Sequence, residues 1–176
     1  MLFRSPRSVA LKNARELDTL DPIARLRLCA FDNVCSCIRR AVWARIPFAD
    51  TPIGEDLEWA KAVLLAGFRL DYVPDAVVLH SHDRSARYEL ARTYVLHRRL
   101  FSLFGLRTIA TVPALARAIA GSIRLHVACE REAGQSSGAK AGMGRALALA
   151  IAWPLGQYLG GLSASRGWKP IRINGV

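Results

Sequence analysis

Residues 146–162 read ALALAIAWPLGQYLGGL, a tract without a single charged side chain. Such a tract has to be hidden from water, and there are few ways to hide it. A membrane-crossing helix wants about 20 apolar residues. This tract falls short and is broken by Pro154 and Gln157. It reads as a helix that lies on a membrane-facing surface or packs beneath one, with a marginal span as the alternative. What flanks it is basic. Residues 84–176 hold 14 Lys and Arg against 3 Asp and Glu, whereas residues 1–83 hold 11 of each, so the second half carries the whole formal charge of +11. A basic half beside a neutral one implies an anionic surface or ligand.

Hydrophobic content of 52% and charged content of 22% exclude wholesale disorder. The four cysteines, Cys29, Cys35, Cys37 and Cys129, show neither a CxxC pair nor the spacing of a disulfide framework, and read as buried thiols of a reducing compartment.

Along the chain, Asp21-Pro22 is a helix start, because Asp caps and Pro is tolerated at the first helical position. The stretch CAFDNVCSCI reads as a mostly buried strand, and RRAVWARI as a short helix stopped before Pro47. In GEDLEWAKAVLLAG the residues Leu57, Ala60, Leu64 and Gly67 share one helical stripe, with Gly67 placed to end the helix. Then come alternating Phe68, Leu70 and Tyr72, a turn at Pro74-Asp75, and the run Ala76–Leu79, which suits a strand covered on both faces. From Ser85 onward the pattern is helical, with a first helix ending near Gly105, a second opening near Pro113, a flexible linker at about 133–144 and a third helix over the uncharged tract. The expectation is an α/β portion over 1–84 followed by a basic all-helical region over 85–176. Two or three strands alone make no stable open α/β layer, so the first portion lacks part of a sheet.

Two features carry chemistry. Glu55-Asp56 open a helix, and His80-Ser81-His82 close the following strand. At one edge of an α/β layer, a carboxylate and an imidazole serve as general base and metal ligand. Taken alone, the acidic pair is also what a helix dipole favours in a first turn, and one His-x-His is not yet a metal site.

The composite over residues 31–85 is more specific. Asn33, Arg39-Arg40 with Trp43, Pro47-Phe48, Gly54-Glu55-Asp56, Ala66-Gly67, Tyr72-Val73-Pro74-Asp75-Ala76 and His80-Ser81-His82 occur in an order and spacing that resembles the C-terminal half of family 2 glycosyltransferases, in particular the bacterial rhamnosyltransferase type. The resemblance implies the acceptor-side half of a GT-A (Rossmann-like) fold and an inverting transfer of a sugar, rhamnose by family analogy, from a nucleotide-sugar to a glycan or lipid-linked acceptor in cell-surface polysaccharide synthesis. Asp56 then matches the base that deprotonates the acceptor hydroxyl, with Glu55 as its supporting neighbour. Asn33, Arg39 and Trp59 fall on the acceptor side, Trp59 being equally at home as a core aromatic. His80 matches a ligand of Mg²⁺ or Mn²⁺, and His82 and Arg84 lie toward the diphosphate.

No Asp-x-Asp occurs in the 176 residues, and the nucleotide-cradling first half of the family is not represented. The resemblance therefore implies a chain that is inactive alone, completed by a donor half encoded upstream or by a separate partner chain. The basic helices, carrying Arg92, Arg98, Arg99, Arg107, Arg117 and Arg124, suit a cytoplasmic protein held peripherally at the inner face of the cell membrane. A nucleic-acid-binding module shares the charge but has no recognisable reading motif, so no nucleic acid is expected. A zinc protein built on Cys29, Cys35, Cys37 and a histidine lacks any common zinc spacing. A non-catalytic partner protein fits the same residues.

Overall fold

The computed structural model of the chain describes residues 6–80, 84–137 and 142–170. The chain divides into two compact units, Met1–His82 and Asp83–Val176.

In the first unit, β1 (Arg7–Val9) is followed by α1 (Arg15–Thr19), α2 (Pro22–Leu28), α3 (Arg40–Arg45), α4 (Glu55–Leu65) and β2 (Leu70–Tyr72). Asp21 caps α2 as its sequence implies: its Oδ1 accepts from the N–H groups of Ile23 at 2.8 Å and Ala24 at 3.0 Å, satisfying donors that the first helical turn cannot pair internally. Arg25 donates to the carbonyls of Leu20 and Asp18, both at 2.8 Å, and so ties α1 to α2. α4 enters through Gly54, whose φ of 75° needs a residue without a Cβ, and leaves through Gly67 at φ 81°. There the N–H groups of Gly67 and Phe68 close back on the carbonyls of Leu64 and Val63. The buried face of α4 is Trp59, Ala60, Val63 and Leu64. Ala60 and Leu64 belong to the expected stripe, but Leu57 is only half-buried.

β1 and β2 pair antiparallel, with Arg7 opposite Tyr72, Ser8 opposite Asp71 and Val9 opposite Leu70. Ser8 adds a side-chain bond, donating to Asp71 Oδ1 at 2.7 Å. Two strands of three residues each are the sheet among the described residues. The expected α/β layer, the acceptor half of a Rossmann-like GT-A fold, is overturned: the described chain is mostly helical. Two expected strands account for the difference. Residues 29–38, the CAFDNVCSCI stretch expected to be a buried strand, form turns and irregular chain, with Val34, Cys35 and Cys37 exposed. Asp32 starts that turn by accepting from the Val34 N–H at 3.0 Å, a local bond that competes with a strand ladder. Cys29 alone is buried as expected, and burial pushes its thiol up to about 11. Ala76–Leu79 is likewise irregular and open to water, with Val77 69% exposed and Leu79 fully so. An apolar run without a paired neighbour has no ladder to hold it as a strand.

The second unit contains α5 (Ala86–Phe104), α6 (Val112–Ser137) and α7 (Met143–Ser165), with both α5 and α6 packed on α7. Ser85 caps α5 by accepting from Tyr88 N–H at 3.2 Å, and Gly105, at φ 71°, ends it where the pattern placed the end. α6 runs on to Ser137, into the stretch read as a linker; residues 138–141 of that stretch lie outside the described residues.

The uncharged tract packs through its small residues. A Cβ on Gly156 would lie 2.8 Å from the Leu90 carbonyl oxygen and 2.9 Å from Thr93 Cβ, and one on Gly160 would collide with the Tyr94 carbonyl oxygen. α7 thus lies against the backbone of α5, an approach that only glycine permits. Ser163 Oγ accepts from Arg98 Nη1 at 2.8 Å and lies 3.2 Å from the Tyr94 hydroxyl. Trp153 donates from its indole to Glu89 Oε2 at 3.1 Å and sits 5.2 Å from the His126 ring, joining all three helices.

His97 is buried in this packing, with Thr108 Oγ1 at 3.1 Å from its Nδ1 and at 3.2 Å from Gln157 Oε1. Burial lowers the imidazole from 6.5 to about 4. A base with a depressed folded pKa stabilises fully above the unfolded value and loses that contribution as pH falls toward the folded one. The second unit is therefore expected to weaken between pH 6.5 and about 4, by roughly 3 kcal/mol in all. Urea midpoints across that interval, set against those of His97→Gln, check it: the variant should lose the slope.

Candidate functional site

Asp56 is the second residue of α4, and the first turn of that helix also carries Glu55 and Glu58. The macrodipole and the free N–H groups of the turn favour negative charge, and Asp56 Oδ1 accepts from the Leu57 N–H at 2.7 Å. Burial works against this and dominates. The Asp56 carboxyl is raised above its ordinary value chiefly by desolvation, with smaller contributions from the charges of Glu55 and Asp32. The result is a half-buried carboxylate with a strengthened appetite for a proton.

The loop that brings Asp32 to Asp56 is held by an aromatic stack. Trp59, 4% exposed, lies with its ring 5.0 Å from that of Phe31 and 5.3 Å from that of Phe48, and donates its indole N–H to the Ile46 carbonyl at 2.6 Å. One side chain on α4 thereby fixes both the 31–37 loop and the 46–48 segment. Of the two readings of Trp59, acceptor side or core aromatic, its burial matches the core aromatic, three residues after Asp56 in α4.

Asn33 follows Asp32 in the turn, is exposed, and has its Oδ1 3.5 Å from Ser36 Oγ. Arg39 is the exposed cap residue of α3, and its charge contributes to the lowering of Asp71, a carboxyl set chiefly by the Ser8 hydrogen bond. His80 sits on exposed irregular chain after Leu79. Arg84 lies in the second unit with its guanidinium 5.1 Å from the Tyr88 ring, and its carbonyl accepts from Arg145. His82 lies outside the described residues. The structure thus gathers Glu55 and Asp56 with Asp32. Sequence reasoning passes over Asp32, for which the only signal is the aromatic residue just before it.

The chemistry implied for Mg²⁺ or Mn²⁺ needs several oxygen or nitrogen ligands around one point. Among the described residues no three of His, Cys, Asp and Glu come together in that way, and the chain has no Asp-x-Asp. The described residues therefore assemble no site for the ion.

No protein-family model matches the chain, and neither does any curated protein or solved structure. Among the described residues no helix is long and apolar enough to cross a membrane.

Proposed function

We propose that the chain is the acceptor-side part of an inverting glycosyltransferase, acting at the inner face of a bacterial cell membrane on a glycan or lipid-linked acceptor in surface polysaccharide synthesis. The observation that carries the reading is Asp56, a carboxylate raised by burial at a helix start, where the composite of residues 31–85 places the base. A general base works best when its proton affinity approaches the working pH and it lies within hydrogen-bond reach of the hydroxyl it activates. Asp56 takes the hydroxyl proton as the acceptor oxygen attacks the anomeric carbon and the nucleoside diphosphate departs. Glu55 and Asp32 sustain its affinity for that proton. Asn33, on the exposed turn, and Arg39 supply polar groups for the acceptor. A partner chain carrying the donor half would hold the nucleotide-sugar, and the isolated 176 residues are expected to be inactive.

Asp56→Asn separates this reading from a purely structural one. In the native cell the variant should reduce sugar transfer by about 10²–10⁴-fold. Its stability should move the other way. An acid whose folded pKa is raised costs the fold as pH climbs from the ordinary value, 3.8, through the raised one, because the unfolded chain gives up the proton first. Asn, which resembles the protonated form, removes that cost. The purified variant should therefore melt above wild type at neutral pH and match it more closely in acid. Undiminished glycan in the variant strain would sink the proposal.

A further inference from the structure

Between Arg145 and Arg166 the sequence has no charged residue, a helical length of about 30 Å. α5 and α6 cover two sides of that helix. The third side is bare. Ile151, Leu155, Leu159 and Leu162 follow one another at spacings of four, four and three residues, which places them on one face. Ile151 is 44% exposed and Leu159 38%, with Leu155 and Leu162 half-buried between them. The ends of the stripe are cationic and aromatic. Arg145 is exposed at one end, and at the other Arg166 lies 5.2 Å from the ring of Trp168, itself 51% exposed, with Lys169 next to it.

We infer that this stripe of α7 is the surface by which the chain docks on an anionic lipid leaflet, lying flat in the interface with Ile151, Leu155, Leu159 and Leu162 inserted. The inference deepens the membrane-surface part of the proposed function and is independent of its transferase part. Charge complementarity selects the occupant: residues 84–176 carry 14 Lys and Arg against 3 Asp and Glu, and a helix with one apolar face, basic surroundings and a terminal Trp binds in the plane of a negatively charged surface. Exposed Arg117, Arg124 and Arg131, spaced seven apart along α6, add to the same field. Flat docking also follows from the packing. With glycine contacts holding α5 against one side of the helix, only a single stripe is free to enter lipid.

The test is co-sedimentation of the 176-residue chain with vesicles of phosphatidylcholine alone and of phosphatidylcholine mixed with phosphatidylglycerol. Wild type should bind the mixed vesicles, more weakly as salt rises, and leave the neutral ones largely unbound. The double variant Ile151→Glu/Leu159→Glu alters exposed positions only, so its circular dichroism should match wild type while its partitioning falls about tenfold or more. Arg166→Glu/Lys169→Glu should weaken binding to the mixed vesicles alone. Failure of wild type to bind them, or equal binding by Ile151→Glu/Leu159→Glu, overturns the inference. So does a wild-type dimer that the double variant turns into a monomer with no vesicle binding, which assigns the stripe to a second copy. Asp56→Asn should bind vesicles as wild type does; loss of the transferase reading with vesicle binding intact leaves the docking surface standing, and the reverse is read equally clearly.

Discussion

Gly160→Ala should destabilise the second unit by about 1–3 kcal/mol, although alanine is the better helix former. A Cβ at residue 160 collides with the Tyr94 carbonyl oxygen and comes within 3.0 Å of His97 Cβ and 3.2 Å of the Arg98 nitrogen. Two of those three neighbours are backbone atoms of α5. They cannot step aside as a side-chain tip would, so relief requires the two helices to separate, with loss of the Ser163 and His97 contacts that depend on their closeness. Gly121 makes the control within the same unit. It lies exposed on α6 with nothing within 4 Å of a Cβ built there, so Gly121→Ala should stabilise by about 0.5–1 kcal/mol through the unfolded chain's lost freedom. Chemical denaturation of the two variants reads the opposite signs directly. Equal effects at both positions would mean that α5 and α7 are not in backbone contact.

Trp59→Ala carries the largest expected loss in the first unit, about 3–5 kcal/mol. The indole is 4% exposed and stacks on two rings that belong to different loops, Phe31 and Phe48. Removing it leaves a cavity, an unpaired Ile46 carbonyl and two loops without an anchor. Trp59→Phe divides the effect. It keeps a ring between Phe31 and Phe48 but leaves the Ile46 carbonyl without its donor, a penalty of about 1–3 kcal/mol. Because the stack also positions Asp32, the alanine variant should bring the Asp56 carboxyl closer to its ordinary titration range, measurable by carbon-detected NMR of the side chain. A folded Trp59→Ala protein with wild-type stability would show that the stack does not hold the loops.

The sequence marks some elements clearly and others not at all, for reasons that differ by residue. α2, α4 and α5 were legible because their ends are written locally: Asp21-Pro22 at a start, Gly67 and Gly105 at stops, each sufficient within a few residues of chain. β2 was legible too, in the alternation of Phe68, Leu70 and Tyr72, but the other strand readings failed. Ala76–Leu79 has the composition of a covered strand, but a strand is defined by its neighbour, and composition says what a segment needs rather than what it receives. β1, with Arg7, Ser8 and Val9, shows no apolar pattern, and its partner lies more than sixty residues away. The same split runs through the candidate site. Asp56 at a helix start is readable from position. Asp32 beside it is not, because that proximity passes through Phe31, Trp59 and the turn that Asp32 itself begins.

The pairing of β1 with β2 sets an order of events. Ser8 and Asp71 are 63 positions apart, so their contact closes almost the whole first unit into one loop, and the entropy of that closure is met late, after local contacts have shortened the path. α1 and α2, joined by Arg25 within a few residues, can form early. β1 must wait until α4 and its glycine stop have delivered β2. The strand residues Arg7–Val9 are thus a latch, closed last on folding and opened first on unfolding, and their amide protons should exchange with solvent well before those of Ala60 or Val63.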